Sequence, residues 1–220
     1  RSTDEGETWS APHRLPDGMM GPVRAKAVEL SDGTLLCGSS TEHAGWRVQM
    51  EWTRDPLGAW ERTPPLNRAE EWGAIQPTLL DHGRGRIQIL CRSRQGVILE
   101  ADSMDAGRSW TPLTATVLPN PNSGIDAVGL GSRGFLLVYN HLKQGRGTLN
   151  LALSKEGRQW ESAWTLENES GEFSYPAMIR ARDGRVHVMY TWNRRKLRHV
   201  VVDARRLKGR PMPDGVWRGD

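Results

Sequence analysis

The residues with most chemical potential in this chain recur at similar distances from turn glycines. Counting back from Gly33, Gly85, Gly134 and Gly184 gives Lys26, Gln76, Asp126 and Tyr175, at offsets of 7, 9, 8 and 9. Counting forward past the strand after each turn gives Ser39, Ser40 and Glu42, then Arg92 and Arg94, Asn140 and His141, and Asn193 and Arg194. In a hairpin, the start of the first strand and the end of the second share the edge opposite the turn, so these residues are expected on one rim. A planar guanidinium binds a carboxylate through two parallel N–H bonds, which suits the arginines of this set to an acidic sugar. The Tyr175 phenol, with an ordinary pKa of about 10, is a poor nucleophile until its proton is removed. His141 is the only histidine that the repeat places on the rim. A histidine, a tyrosine and a carboxylate-binding arginine would also serve β-elimination on a uronic acid. There the arginine neutralises the carboxylate, a base takes the α-proton, and Tyr or His protonates the leaving oxygen. His13, His43, His82, His187 and His199 are scattered without ligand spacing, so neither a metal site nor a cofactor is expected.

The elements that position this set come from a repeat. Trp9, Trp60, Trp110 and Trp160 stand 51, 50 and 50 residues apart, and the turn glycines are spaced 52, 49 and 50. A period near 50 means one supersecondary unit used several times. Each tryptophan closes a short motif, clearest in Ser2-Thr3-Asp4-Glu5-Gly6-Glu7-Thr8-Trp9 and Ser103-Met104-Asp105-Ala106-Gly107-Arg108-Ser109-Trp110. Asp and Ser side chains bond nearby backbone N–H groups and hold a tight turn, Gly permits the left-handed residue, and Trp is expected to pack between sheets. Two copies are degenerate: the one ending at Trp60 moves its Gly, and Ser154-Lys155-Glu156-Gly157-Arg158-Gln159-Trp160 is one residue short.

Around each turn the pattern predicts two strands, residues 25–30 with 34–39, 77–80 with 86–91, 125–130 with 135–139, and 175–180 with 186–192. A third follows at 47–53, 97–103, 149–154 and 196–202, and a short outer strand comes after the motif. Gly, Pro and Asp break every window a helical solenoid would need. Four antiparallel strands per unit make an all-β chain of propeller blades, with about four blades spanning residues 22–64, 73–114, 123–164 and 173–204 of a single domain, 1–220.

Composition agrees with this class. At 37% apolar residues, the chain suits many short half-buried strands better than large amphipathic helices. The charge of +4 thickens in Arg194-Arg195-Lys196-Leu197-Arg198 and Arg205-Arg206-Leu207-Lys208, read as a solvated edge and tail. No stacking platform or recognition helix accompanies these blocks, so no nucleic-acid partner is expected. Cys37 and Cys91 sit in apolar runs of different repeats and are expected to be buried free thiols. No run reaches the length of a membrane span. The chain opens inside a motif without an initiator Met; a true N-terminus upstream is expected, and the compartment stays open.

The Ser-x-Asp-x-Gly-x-x-Trp motifs resemble the Asp-box, or BNR, repeats of the sialidase superfamily, over essentially the whole chain. Cys91-Arg92-Ser93-Arg94, Asn120-Pro121-Asn122-Ser123-Gly124-Ile125-Asp126, Tyr139-Asn140-His141 and Glu172-Phe173-Ser174-Tyr175-Pro176 resemble a bacterial sialidase-like branch. Sialidases of this fold have six blades, so the resemblance implies a piece of a larger propeller lacking about two N-terminal blades. It implies a clamp of three arginines on the sugar carboxylate, with Arg92 the second, Arg146 the third and the first upstream. Tyr175 matches the tyrosine nucleophile. Gln76 occupies the place of the activating Glu and cannot accept a proton; Glu172, three residues before Tyr175, is a substitute. The general-acid Asp would fall upstream. The implied activity is an exo-glycosidase acting on a terminal acidic sugar of a glycan or glycoconjugate. A uronate lyase and a non-catalytic carbohydrate-binding propeller remain open beside it, and open propeller edges leave room for self-association.

Overall fold

In a computed structural model, residues 1–43 and 45–218 are described. They form four antiparallel sheets that follow one another along the chain. The first contains β1 (Val28–Glu29), β2 (Leu35–Thr41), β3 (Arg47–Thr53) and β4 (Glu61–Arg62); the second contains β5 (Ala74–Asp81), β6 (Ile87–Ser93), β7 (Val97–Ser103) and β8 (Thr114–Pro119). The third contains β9 (Asp126–Gly129), β10 (Phe135–Tyr139), β11 (Thr148–Ser154) and β12 (Glu161–Asn168); the fourth contains β13 (Phe173–Arg180), β14 (Val186–Trp192) and β15 (Lys196–Val202). Each is a meander whose first strand lies innermost, so the sheets are four propeller blades around an axis.

The core lies between blades, which is why the central strands are apolar on both faces. In β10, Leu136 and Val138 join Phe173, Val188 and Tyr190 of the fourth blade. Phe135, Leu137 and Tyr139 turn the other way, to Leu80, Leu90 and Ile98 of the second. A third cluster joins Leu36, Val48 and Met50 to Ile87, Ile89 and Leu99. Cys37 and Cys91 are free and buried within this packing.

Three details depart from the sequence reading. The innermost strand of the first blade pairs only over Val28–Glu29, because the chain before it turns at the left-handed Arg24: the Ala25 N–H bonds the Val23 carbonyl, and the Val23 N–H bonds the Gly38 carbonyl of β2. The fourth blade has three strands, whereas the third gains a fifth, β16 (Arg210–Pro211), from the chain's end. After β15 the chain leaves the sheet at a short 3-10 turn in which the Asp203 carboxylate accepts from the Arg205 N–H; Met212 then buries against the third blade. Trp9, expected between sheets, is 73% exposed, while Trp160 is buried in the core. The outer face of the fourth blade shows Ile179, Met189, Leu197 and Val201 to solvent. Among the described residues, no helix is long and apolar enough to cross a membrane.

Candidate functional site

The site begins with a backbone irregularity that repeats. Arg24, Gln76 and Tyr175 each stand nine residues before a turn glycine and each has a left-handed φ, of 67°, 57° and 53°. The pairing register slips there, between Ile75 and Thr78 in one blade and between Ser174 and Ala177 in another. A left-handed conformation is costly for long side chains and persists only where surrounding structure enforces it. Its effect is to turn these three side chains out of the strand's alternation at the axial end of the innermost strands. The third blade has Ile125 at this offset, buried in the core without the bulge.

Beneath this level lies a tie between all four blades. Asp126 is 4% exposed, and its carboxylate accepts from Lys26 Nζ at 2.7 Å, Thr78 Oγ1 at 2.9 Å, its neighbour's N–H on Ala127 at 2.9 Å and the Met178 N–H at 2.7 Å. Lys26 also donates to the Ala127 carbonyl. Above it, Arg24 crosses the axis: one Nη donates to the Ile125 carbonyl at 2.6 Å and the other to the Pro176 carbonyl at 2.7 Å. A Cβ on Gly124 would lie 2.6 Å from the Arg24 guanidinium carbon, so any larger residue there would displace the guanidinium from this place.

At the mouth, Tyr175 is 43% exposed and faced by guanidiniums. The Arg146 guanidinium lies 5.5 Å over its ring. Hydrogen bonding from Arg146 is the largest influence on the phenol; together with the Arg146 and Arg92 charges it holds the pKa below the usual tyrosine value, against the opposing effect of burial. Arg92 is 7% exposed, yet its Nε and Nη1 find no hydrogen-bond partner among the described residues. Burial pushes its pKa down, the Tyr175 oxygen opposes this, and the nearby Arg146 charge lowers it further. Leaving such donors unsatisfied is expensive unless a ligand completes them. The Gln76 Oε1 and the Asn122 Oδ1 are likewise buried without partners, and Gln76 adjoins Arg92 through the Ile75–Arg92 pairing. The mouth therefore offers unpaired donors on an arginine and unpaired acceptors on two amides.

Glu172 is committed elsewhere. It accepts from Arg146 Nη1 at 3.1 Å, Ser174 Oγ at 2.9 Å and Arg194 Nε at 2.9 Å, while the second Arg146 Nη donates to the Asn122 carbonyl. Burial raises its pKa, but the bonds from Arg194 and Ser174 and the arginine charges outweigh that and hold the carboxyl below its usual value. Such a group orients Arg146 and makes a weak base.

The structure thus brings Gln76, Arg92, Arg146, Glu172 and Tyr175 to one mouth. Arg94 stands beside it, stacked 4.4 Å from the Trp46 ring that Arg92 also approaches, at 5.1 Å. Lys26 and Asp126 lie in the tie below. Asn140 is fully buried in the wall between the last two blades: it donates to the Thr148 carbonyl at 2.5 Å and the Phe173 carbonyl at 2.8 Å, and accepts from Ser123 Oγ. His141 joins a different cluster. Its Nδ1 is 2.6 Å from the Tyr139 hydroxyl, its ring centroid is 5.3 Å from that of Trp217, and it bonds the Gly215 backbone. Burial lowers its pKa to about 4, so it is neutral. The residue that counting along the sequence missed is Arg24. Holding the offset at nine, as for Gln76 and Tyr175, points to Arg24 rather than Lys26.

A profile of the family described as BNR repeat-like domain matches residues 1–188. No curated protein matches the chain at a significant level. Among solved structures, a mutant of the NanB sialidase from Streptococcus pneumoniae aligns with TM-score 0.72 and 16% identity, over 94% of this chain and 35% of that one. The intramolecular trans-sialidase from Ruminococcus gnavus aligns with TM-score 0.65 and 15% identity, over 84% and 44%. A protein of unknown function from Dyadobacter fermentans gives TM-score 0.69 and 17% identity, over 87% and 58%. These likenesses establish the propeller fold, and the chain spans about a third of the NanB chain's length.

Proposed function

We propose, from the premise that this chain belongs to the BNR repeat-like family of the sialidase superfamily, that its mouth binds a terminal acidic sugar and cleaves it from a glycan or glycoconjugate. The observation that carries this reading is the buried Arg92 guanidinium with two unpaired N–H groups, set beside Arg146 and Tyr175. The sugar carboxylate lies across Arg92 and Arg146, in the forked geometry a guanidinium favours. Gln76 and Asn122 accept hydrogen bonds from ligand hydroxyl or amide groups. Arg94 and Trp46 border the entrance.

Tyr175 then faces the anomeric carbon. A tyrosine suits an anionic sugar, since a carboxylate nucleophile would be repelled by the substrate's own charge. As the bond from the phenolic oxygen to the anomeric carbon forms, the glycosidic C–O bond breaks. The leaving oxygen takes the electron pair and, relayed through solvent water, the proton that the phenol gives up. Water then displaces the tyrosine, and the net change is addition of one water across the glycosidic bond. Binding without turnover is the second reading, favoured by Gln76, whose amide accepts no proton. The uronate lyase is disfavoured by the His141 ring being engaged with Tyr139 and Trp217.

The test is product analysis with sialosides, other keto-acid glycosides and uronate polymers. Free acidic sugar supports cleavage, retained binding without product leaves the second reading, and an unsaturated uronate would overturn both. Arg92→Ala is expected to weaken an acidic ligand by about 2–4 kcal/mol while leaving a neutral analogue unchanged. Equal loss for both ligands would remove the carboxylate from this account.

A further inference from the structure

We propose that Arg24 is a positioning residue for Tyr175: it fixes the bulge that presents the phenol and adds a third positive charge facing it, so that cations rather than a carboxylate base ready Tyr175 to lose its proton. This rests on the cleavage reading above but is tested without any sugar. Three observations carry it. Arg24 Nη2 donates at 2.7 Å to the carbonyl of Pro176, the residue that follows Tyr175 within the slipped register. Its other Nη is anchored to Ile125, and Gly124 leaves the gap the side chain needs, so the guanidinium is held from the opposite blade in one place. Arg24 also interacts electrostatically with both Tyr175 and Arg92.

The charged groups around Tyr175 come from every blade. Arg24 precedes β1, Arg92 ends β6, and Arg146 lies between β10 and β11. On its own blade, Glu172 is tied to Arg146 and Arg194. Below, Lys26 and Asp126 neutralise each other, and Glu42 lies toward Arg92. The groups acting most strongly on the phenol are Arg146 and Arg92, and Arg24 adds a weaker interaction, all three being cations. A phenolate among guanidiniums is stabilised enough for the half-exposed phenol to give its proton to solvent water, which removes the need for a carboxylate where Gln76 stands.

The experiment is an ultraviolet titration of tyrosinate in the ligand-free chain. Tyr139, Tyr175 and Tyr190 are its only tyrosines, and burial raises the ionisation of Tyr139 and Tyr190 far above the ordinary range. The first phenol to ionise is therefore expected to be Tyr175, below the usual tyrosine pH and absent in Tyr175→Phe. Arg24→Gln should move that midpoint upward by about half a unit or more, and Arg24→Lys should restore much of the shift. Gly124→Ala, which crowds the guanidinium without removing charge, should also move it. Far-ultraviolet dichroism checks folding, and Gly124→Ala and Arg24→Lys stand in if Arg24→Gln unfolds. An unmoved midpoint in folded Arg24→Gln, or in Gly124→Ala if it must stand in, overturns the proposal, as does a first tyrosinate that survives in Tyr175→Phe. These outcomes do not depend on whether a sugar binds, so a failed titration and a failed sugar assay are distinguishable.

Discussion

His141 and Arg24 show how a side chain's surroundings, rather than its type, set its chemistry. His141 follows its strand, two residues past Tyr139, yet its ring serves to dock the C-terminal segment against the third blade through Tyr139, Gly215 and Trp217. Its pKa is about 4 when folded against an ordinary 6.5, so between those values the unfolded chain binds more protons. Stability is thus expected to fall as pH drops from about 6.5 toward about 4 and to lose no more from this group below that. Melting temperature measured across this window should depend less on pH in His141→Gln than in the parent. An unchanged slope would remove His141 from the docking. Arg92, Arg94 and Tyr175 were legible in the sequence because strand ends and turn glycines fix which edge they share, whereas Arg146 came only from the family resemblance. The role of Arg24 was not, because a bulge shifts the side-chain alternation and leaves no mark in composition. Nor did strand position reveal that Asn140 would be spent on the Thr148 and Phe173 carbonyls.

Among the elements, the Asp boxes illustrate how one motif acquires two uses. In the box at Ser103, Asp105 Oδ1 accepts from Ser103 Oγ at 2.7 Å and from the Ser109 N–H at 2.9 Å, and Trp110 Nε1 donates to the Gly107 carbonyl at 2.9 Å. The box at Ser2 repeats this pattern through Asp4, Thr8 and Trp9. In the short box, the Gly157 carbonyl is instead taken by Gln88 Nε2 of the second blade, at 2.9 Å. Arg158 meets Glu100 at 2.6 Å and also pairs with Asp102. Ser154 Oγ and Trp160 Nε1 are left buried without partners. Losing one residue thus converts a self-contained turn into a clasp between blades. The sequence shows the missing residue, but the partner Gln88 lies 69 positions away, beyond any local pattern. Asp105→Ala is expected to destabilise the chain by about 1–2 kcal/mol through its own turn. Gln88→Leu should instead loosen the joint, leaving Gly157 without a donor. Hydrogen exchange separates the two: faster exchange confined to residues near 103–110 for the first, and spread across β6, β7 and the turn at 154–160 for the second. Identical exchange maps would mean the short box is an ordinary turn after all.

For the molecule as a whole, the question is what holds four sheets around one axis when each touches only its neighbours. Apolar packing joins adjacent blades in three separate clusters, and none of these reaches across the axis. Asp126 does, with donors from the first, second and fourth blades converging on a carboxylate carried by the third. Arg24 makes a second crossing, from the first blade to the third and fourth. The mouth stands on these two ties, so the positions of Arg92, Arg146 and Tyr175 depend on axial bonds as much as on their own strands. Asp126→Asn keeps the volume but removes the charge opposite Lys26 and turns an N–H pair toward donors. A buried pair broken in this way is expected to cost about 2–4 kcal/mol in chemical denaturation. The loss should also be global: the denaturation midpoint falls, exchange rises in β9 and β13 together, and acidic-sugar affinity declines although Asp126 touches no sugar. Lys26→Met should be milder, since Thr78 and Met178 still satisfy the carboxylate. If Asp126→Asn melts like the parent, the inter-blade clusters alone set the propeller's closure, and the mouth's geometry must be fixed by the strands that carry it.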